Sequence, residues 1–419
     1  MSEKKTKLSR RNFIGTTSLG VAGLMLGSST RKAFGAIRGA NETLNVGLIG
    51  PGSQGTSLLR NLITVPNVKV TAICEIFEPN LKKAVELAGG QPKTYNDYRK
   101  LLENKDIDAV AIAVPLHMHF EMAQAALQAG KHVYLEKTMC YSIEQCDKLV
   151  QLKNAHPSQR LQVGYQRHYL PVVKKAIEMS KDGALGEVTD IRCMWHRNGS
   201  WRRPVPKIDF DPRPWGYPDL EHLINWRMYK IYSGGLMAEL GSHMMQIVNL
   251  IYGKMPAAVT GFGGIDFYKD GRDTYDDVSV IYKYPDGQRA TFTSLTTNAH
   301  DGERIQIMGT EGTLNFGWDE ALYFREKNPD AGLTKESGAT VIGSTGETMK
   351  ATTGGDQKAT KINPQDQRRQ NAQYLAMESF INCVRDGKNP EVDVNEGRKS
   401  AICILKANQA MEEGKVIKF

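Results

Sequence analysis

A glycine-rich turn directly after an apolar run is the feature that most constrains the fold of this chain. Residues 44–49 read Leu-Asn-Val-Gly-Leu-Ile, and Gly50-Pro51-Gly52-Ser53-Gln54-Gly55 follows at once. In a strand–turn–helix unit the first glycine permits the tight bend, the second lets the backbone approach a pyrophosphate, and the third allows helix and strand to pack closely. The turn therefore predicts a dinucleotide site that includes Gly50, Gly52, Ser53, Gln54 and Gly55.

Residues 44–168 alternate short apolar runs with helical segments, which is typical of a βαβ array. The predicted strands are 44–49, 68–74, 109–114, 132–135 and 161–164, and the predicted helices between them are 56–64, 80–87, 120–129 and 143–154. This pattern predicts an α/β fold, with an N-terminal Rossmann domain built on a doubly wound parallel sheet.

After residue 168 the apolar residues alternate along longer strands, so the period changes to that of a half-buried sheet. The turn residues Pro285-Asp286-Gly287 separate two of these strands and predict an antiparallel hairpin. We therefore expect residues 169–419 to form an α+β domain with a large, mostly antiparallel open sheet. Residues 331–362, rich in Gly, Thr, Ser and Lys, predict a surface excursion.

Glu75 ends the second predicted strand, 20 residues after Gly55. A carboxylate at this position accepts hydrogen bonds from both ribose hydroxyls and repels a 2′-phosphate, so the sequence predicts NAD rather than NADP. Residues 76–78 contain no arginine that would reverse this preference.

Polar residues also follow the third and fourth strands of the predicted parallel sheet. Pro115 and His119 come after the third strand, and Glu136 and Lys137 after the fourth. Ligands of open α/β sheets bind at the carboxyl ends of the strands, so all four are predicted to face the cofactor. A lysine in such a place can also lie solvated at the rim of the crevice.

Glu239 and His243 are four residues apart in an apolar, glycine-containing segment. On a helix they would share one face, where a carboxylate can orient an imidazole for proton transfer near neutral pH. The same spacing is also common in solvated helix pairs, so the residues alone leave both interpretations open.

An ordered set of motifs spanning nearly the whole mature chain resembles the Gfo/Idh/MocA oxidoreductases, that is, glucose–fructose oxidoreductase, inositol dehydrogenase and their relatives. The set is Gly50-Pro51-Gly52-Ser53-Gln54-Gly55, Ala129-Gly130-Lys131-His132-Val133 running into Glu136-Lys137, Gly183-Ala184-Leu185-Gly186-Glu187-Val188, and Gly234-Gly235 through Glu239, Gly241 and His243. The resemblance implies a Rossmann domain followed by an α+β domain. It also implies a homodimer or homotetramer, because the open sheet face of family members often forms their subunit interface.

The resemblance also implies site residues. Lys137 matches the active-site lysine of the family's Glu-Lys-Pro motif, and His243 matches the usual acid/base histidine. Thr138 stands where the family has proline, and Glu239 stands where it has aspartate. Gln246 replaces a further aspartate of the family pattern. Lys137, His243 and Glu239 are therefore the candidate catalytic residues, with the role of Glu239 left open.

The segment before this pair is crowded with aromatic and arginine residues among prolines, which favours loops over a buried strand. The predicted substrate contacts are Tyr165, Arg167, Asn198, Trp201, Trp226 and Tyr229. With the resemblance they predict an NAD-dependent oxidoreductase acting on a sugar or glycoside hydroxyl, at C3 of a pyranoside. An NAD-dependent glycoside hydrolase using transient C3 oxidation is the alternative, and a non-catalytic sugar or dinucleotide sensor is a third interpretation.

The first 35 residues have the pattern of a cleaved twin-arginine signal peptide. Residues 9–14 read Ser-Arg-Arg-Asn-Phe-Ile, the apolar stretch runs to Leu26, and Ala33 and Gly35 allow cleavage before Ala36. An ordinary secretory signal or a short anchor is the alternative, but the stretch is shorter than the roughly 20 residues that span a membrane. We therefore expect a periplasmic protein without a stable membrane anchor. Because this route exports folded proteins, NAD should leave the cytoplasm already tightly bound.

The net charge of +8 arises mostly in the signal segment, since residues 1–35 hold seven Lys/Arg against one Glu. The mature chain is thus near +2, which removes the case for a nucleic-acid or membrane-surface partner. The six cysteines are scattered without a Cys-x-x-Cys pair, so buried thiols are favoured over disulfides and no metal site is predicted. An oxidising destination still leaves a disulfide open.

Overall fold

The computed structural model describes residues 42–317, 321–326, 339–342, 348–351, 359–362 and 371–419. The twin-arginine segment and most of the predicted surface excursion lie outside these residues. All described residues belong to one unit, 37–419, so the two sheets can be described together.

The first sheet, as far as the described residues show it, has six parallel strands in the order β3-β2-β1-β4-β5-β6. They are β1 (Leu44–Ile49), β2 (Val68–Cys74), β3 (Lys93–Tyr95), β4 (Ala109–Ile112), β5 (His132–Glu136) and β6 (Leu161–Gly164). Continuous apolar runs form these strands because both faces of a parallel sheet are covered by helices. The predicted Rossmann sheet is confirmed. Strand β3 was not predicted, because Lys-Thr-Tyr is short and carries no apolar run.

The connections of this sheet are helical. They are α1 (Ser53–Leu62), α2 (Glu78–Ala88), α3 (Tyr98–Leu102), α4 (His119–Gln128) and α5 (Ile143–Ala155). Ser142 caps α5, since its hydroxyl accepts a hydrogen bond from Gln145 N at 3.1 Å. The turns before α1, α2 and α4 all open at the carboxyl ends of strands, which places the site at that edge.

The second sheet contains nine strands among the described residues, in the order β16-β13-β12-β11-β7-β10-β9-β8-β17. They are β7 (Val188–Asn198), β8 (Ala258–Gly264), β9 (Asp277–Lys283), β10 (Arg289–Leu295), β11 (Thr297–Gly309), β12 (Gly312–Phe316), β13 (Ala321–Arg325), β16 (Thr360–Ile362) and β17 (Ile417–Lys418). All pairs are antiparallel except β7 with β10. The mostly antiparallel sheet and the β9–β10 hairpin at Pro285-Asp286-Gly287 are confirmed.

Helices α8 (Ser242–Tyr252) and α10 (Val394–Glu413) cover one face of the second sheet, and α6 (Pro171–Lys181) packs against α8. The other helices after residue 168 are α7 (Leu220–Ile224) and α9 (Ala372–Asp386). Inward residues such as Val280, Phe292 and Ile307 form one core with α8 and α10. On the other face Phe262 is 84% exposed and Ile281 47% exposed, so that face is open.

Helix α9 packs on the first sheet although it follows the second one in the chain. Met377, Phe380 and Ile381 lie in the same core as the parallel strands, and the Phe380 ring lies 5.8 Å from that of Tyr134. The chain end therefore ties the two sheets together.

Two short strands, β14 (Ala339–Ile342) and β15 (Thr348–Ala351), form an antiparallel pair in the described part of the predicted excursion. The six cysteines are all free, and five are buried. In the described ranges there is no helix that is both long and apolar enough to cross a membrane.

Candidate active site

The glycine turn has the geometry that a dinucleotide site needs. Gly50 has a φ of +83°, and a Cβ there would lie 2.8 Å from Ala113 O. A Cβ on Gly55 would lie 2.2 Å from Gly50 O, so only glycine lets α1 start this close to β1. Gly52, in contrast, has no described atom within 4 Å of its Cβ position and no side chain to cap α1. The first-turn N–H groups of α1 are thus open to a phosphate.

The Glu75 carboxylate is held at the end of β2 by the backbone N–H groups of the two residues that follow it. Its Oε1 accepts hydrogen bonds from Ile76 N at 2.7 Å and Phe77 N at 2.9 Å, and Asn80 Nδ2 lies 3.5 Å from Oε2. Burial raises the pKa of Glu75, while these hydrogen bonds oppose the rise. The residues present fit a ribose of NAD.

A cavity of about 1130 Å³ runs from this turn to the second sheet. Most of the predicted site residues line it: Gly50, Gly52, Ser53, Gln54, Glu75, Pro115, His119, Glu136, Lys137, Trp201, Trp226, Glu239 and His243. The predicted cofactor residues other than Gly55, and all three candidate catalytic residues, therefore face the same cavity. Gly55 lies behind the turn, where it serves the packing of α1 on β1.

Glu136 and His119 line the cavity with most of their polar atoms engaged. Gln54 Nε2 donates to Glu136 Oε1 at 2.9 Å. The two ring nitrogens of His119 lie 2.8 Å from Thr138 O and 3.0 Å from Val114 O. Burial lowers the pKa of His119 to about 4, so its ring is neutral near pH 7 and donates its single N–H to one of these two carbonyl oxygens.

Lys137 and Glu239 form an ion pair at the centre of the cavity. Lys137 Nζ lies 3.8 Å from Glu239 Oε2, and Arg227 Nε donates to the same oxygen at 2.8 Å. Burial acts to raise the pKa of Glu239, but the charges of Arg227 and Lys137 outweigh it and lower this pKa to about 2. Lys137 is thus aimed into the crevice and is not at its rim. Its peptide bond to Thr138 is cis.

The direct contact between Glu239 and His243 that the four-residue spacing allowed is not among the contacts of the described residues. Residues Met237–Gly241 form a π-helical turn, and Ser242 begins the α-helix. The wider turn directs the Glu239 carboxylate to Arg227 and Lys137 instead. Glu239 therefore acts on the lysine rather than on the histidine.

His243 presents a neutral imidazole to the cavity. Its ring lies 5.9 Å from that of Tyr165 and 5.6 Å from that of Trp195, and Nδ1 is buried without a hydrogen-bond partner among the described residues. Burial, followed by the positive charges of Lys137 and Arg167, lowers the pKa of His243 well below its usual value. Because Nδ1 is enclosed, Nε2 is the nitrogen that can accept a proton from a ligand.

Only Trp201 and Trp226 of the six predicted substrate contacts line this cavity. Tyr165, Arg167, Asn198 and Tyr229 do not, and they are corrected here. Tyr165 packs in the core beneath His243, and buried Arg167 forms an ion pair with Glu303. Asn198 is exposed at the end of β7, and the Tyr229 ring stacks on His222 at 4.0 Å.

Gln166 and Arg227 line the cavity but were not among the predicted site residues. After β6 the chain turns so that Tyr165 and Arg167 point inward while Gln166 reaches the cavity, where its Oε1 is buried without a partner. The sequence predicted its two neighbours Tyr165 and Arg167 as substrate contacts but held no clue to which residue after β6 faces the cavity. Arg227 follows Trp226 directly, and its role depends on a contact that no local pattern marks.

Family comparisons agree with both sheets. The model for the oxidoreductase family's NAD-binding Rossmann fold matches residues 44–165, and the model for the GFO/IDH/MocA C-terminal domain matches residues 173–315. The chain belongs to the Gfo/Idh/MocA oxidoreductase family. The expected resemblance is thereby confirmed at the level of the family.

Two relatives of this Gfo/Idh/MocA protein match over shorter stretches. Inositol 2-dehydrogenase/D-chiro-inositol 3-dehydrogenase of Lactiplantibacillus plantarum is 34% identical over 143 residues, which are 34% of this chain and 41% of that protein. A glycosyl hydrolase family 109 protein of Streptomyces filamentosus is 30% identical over 182 residues, 41% of this chain and 35% of the other. The matches thus span about two fifths of these relatives.

The crystal structure of scyllo-inositol dehydrogenase from Lactobacillus casei with bound NAD(H) and scyllo-inositol superimposes with a TM-score of 0.67 at 20% identity. The superposition covers 90% of this chain and 99% of that one. At this identity the likeness shows the fold. The described residues contain no group of three or more side chains able to hold a metal ion.

Proposed function

We propose that this Gfo/Idh/MocA protein is an exported NAD-dependent oxidoreductase that oxidises a hydroxyl group of a sugar or glycoside, at C3 of a pyranoside. The observation that carries the proposal is that Lys137 and His243 line the same cavity as the glycine turn and Glu75. An acid/base pair and a dinucleotide cradle thus face one enclosed space, as hydride transfer requires.

The chain's own residues have distinct tasks in this reaction. His243, neutral because its pKa is lowered by burial, takes the hydroxyl proton at Nε2. The Lys137 ammonium holds the same oxygen and stabilises the developing alkoxide, while the Glu239 carboxylate at 3.8 Å fixes the ammonium. Bound NAD supplies the hydride acceptor. Gln166 Oε1, buried without a described partner, accepts from a second sugar hydroxyl.

We propose that NAD is tightly bound and is exported with the folded protein. A proline-rich segment between β7 and α7 supports this, since Pro206, Pro214 and Tyr217 line the cavity and Phe210 packs edge-on against Phe77 at 5.6 Å. The segment covers the cofactor end and slows dissociation. The twin-arginine pattern of residues 1–35 supports export to the periplasm.

The proposal includes assembly into a homodimer or homotetramer through the open face of the second sheet. Phe262 and Ile281 are 84% and 47% exposed there. Apolar side chains of this size on an open sheet favour burial against another copy.

A second candidate is an NAD-dependent glycoside hydrolase, in which C3 is oxidised, the aglycone is eliminated, water adds and C3 is reduced again. The similarity to a glycosyl hydrolase family 109 protein favours it. Elimination needs a base for the C2 proton, and Glu239, with a pKa of about 2, is a weak one. The oxidoreductase therefore ranks first.

One experiment tests these functions. Purified protein is incubated with aryl and alkyl pyranosides, and the products are followed by mass. A loss of two hydrogens supports the oxidoreductase, and release of the aglycone supports the hydrolase. No change with any substrate, although denatured protein releases NAD, would leave a sensor as the function. Denatured protein without dinucleotide would contradict tight binding.

A further inference from the structure

Three arginines line the part of the cavity that holds the catalytic pair: Arg197, Arg203 and Arg227. Arg227 is paired with Glu239. Arg197 and Arg203, by contrast, have no acidic partner among the described residues. Arg197 is half-buried over the Trp201 ring, with its guanidinium carbon 4.5 Å from the ring centre, and Arg203 is exposed at the cavity mouth.

The path of the backbone directs the guanidinium groups of Arg197 and Arg203 toward the cavity. Strand β7 runs from the core to the cavity, so that its inward residues are successively Cys193, Trp195 beside His243, and Arg197. Trp201 follows in a left-handed conformation, with φ at +64°. This conformation is uncommon for a residue with a side chain, so the surrounding contacts must hold it.

Arg202 supplies that anchor. Its Nε donates to Asp270 Oδ2 at 3.0 Å and its Nη2 to Asp270 O at 2.8 Å, and it also pairs with Glu221. Arg272 holds the same aspartate at 2.7 Å and donates to Ser200 O at 2.9 Å. Arg202 is thus used for structure, while its neighbour Arg203 is turned to the cavity.

The charges at this end of the cavity do not balance. Lys137 and Arg227 share Glu239, and the Glu136 carboxylate is already engaged by Gln54 and by the Lys137 backbone N–H. At the opposite end Asp97 and Glu121 are engaged by Arg99.

Burial and the nearby Arg227 charge lower the pKa values of Arg197 and Arg203, and the Glu239 carboxylate, which acts to raise them, offsets this only in part. An anion between them would relieve this penalty.

We propose that the pyranoside bound here carries an anionic group, a carboxylate or a sulfate, held by Arg197 and Arg203. The inference rests on the proposed function, because it names the class of sugar that the same site takes. Guanidinium groups bind carboxylate and sulfate oxygens through paired N–H donors, and the Trp201 ring keeps that of Arg197 in place. Trp226 and Gln166 are left for the sugar ring and its hydroxyls.

The test measures binding to the NAD-containing protein by calorimetry. Its probes are methyl β-D-glucuronide, methyl β-D-glucoside 6-sulfate and neutral methyl β-D-glucoside. At least one anionic probe should bind about 10-fold or more tightly than the glucoside, and the advantage should shrink as salt is raised. The tighter of the two anionic probes distinguishes carboxylate from sulfate.

Arg197→Gln and Arg203→Gln should each weaken binding of the anionic probe by about 10- to 100-fold, the range for losing a hydrogen bond to a charged group. Binding of the neutral glucoside should change by less than about threefold. Arg60→Gln is the matched control, because Arg60 is exposed in the last turn of α1 and does not line the cavity. Its binding of all probes should equal that of the wild type.

Equal binding of anionic and neutral probes by the wild type would overturn the inference. So would a loss of NAD from both arginine variants, since the arginines would then serve the cofactor phosphates. Failure of the proposed function is seen separately, as the absence of product mass changes with every sugar. An anion preference that disappears in both variants supports the inference even in that case.

Discussion

Glu239→Gln tests how the central charge cluster works. The substitution removes one negative charge while keeping nearly the same shape, and the amide oxygen can still accept from Arg227, now 2.8 Å from Oε2. Lys137, at 3.8 Å, loses its partner, and the charges that already lower the pKa of His243 become less balanced. The variant should therefore fold, but the Lys137 ammonium should be held less firmly against the substrate oxygen.

The size of the effect follows from these distances. Two unit charges about 4 Å apart interact by about 4 kcal/mol at an effective dielectric constant of 20. Water and the remaining hydrogen bond recover part of this, so we expect a loss of about 1–3 kcal/mol in transition-state stabilisation. This corresponds to a fall of roughly 10- to 100-fold in kcat/KM with an unchanged reaction type.

The assay combines steady-state rates with single-turnover absorbance of reduced nicotinamide. Glu391→Gln is the matched control, because His168 and Lys174 lower the pKa of Glu391 to about 2 as well, but this residue does not line the cavity. Its kinetics should stay at wild-type values. The reasoning is refuted if wild type releases an aglycone and Glu239→Gln stalls with reduced nicotinamide and a 3-keto sugar, because Glu239 would then be the C2 base.

Three further outcomes are expected. Lys137→Ala and His243→Ala should each slow turnover by about 10²- to 10⁴-fold with NAD content intact, and near-wild-type rates in both would place the chemistry elsewhere. Glu75→Arg should weaken the binding of NAD and strengthen the binding of NADP, as measured by titration. An unchanged ratio of the two dissociation constants would contradict the contact between Glu75 and the ribose. A general base works in its deprotonated form, and the pKa of His243 is lowered. We therefore expect kcat/KM to stay constant in mildly acidic solution and to fall only below about pH 6.5, the ordinary pKa of histidine. A fall that starts above about pH 6.5 would contradict a neutral, buried His243.

Local sequence pattern was enough to predict the type of both sheets, although the short strand β3 was not predicted. Gly50 and Gly55 indicate a tight strand–turn–helix backbone, because a side chain at either position would collide with neighbouring backbone atoms. The change from continuous to alternating apolar runs distinguishes a sheet buried on both faces from one with an open face. The strand ends that carry Glu75 and Lys137 followed from the same periodicity.

The arrangement of charges within the site depended on tertiary structure. Glu239 and His243 look like a helical pair, yet the π-helical turn directs Glu239 to Arg227 and to Lys137, which is 102 residues earlier in the chain. The backbone turn after β6 decides which side chain faces the cavity. Gln166 does so, while its neighbours Tyr165 and Arg167 do not.

The sequence by itself thus determined the two-sheet fold and the dinucleotide turn, because these depend on short-range geometry, and its ordered motifs singled out Lys137 and His243 as candidates. Only the tertiary structure decided that Arg227 holds Glu239 and that Arg197 is left facing the cavity. The physical reason is that a charge acquires its partner when distant strands and loops pack together, and no local period encodes that distance.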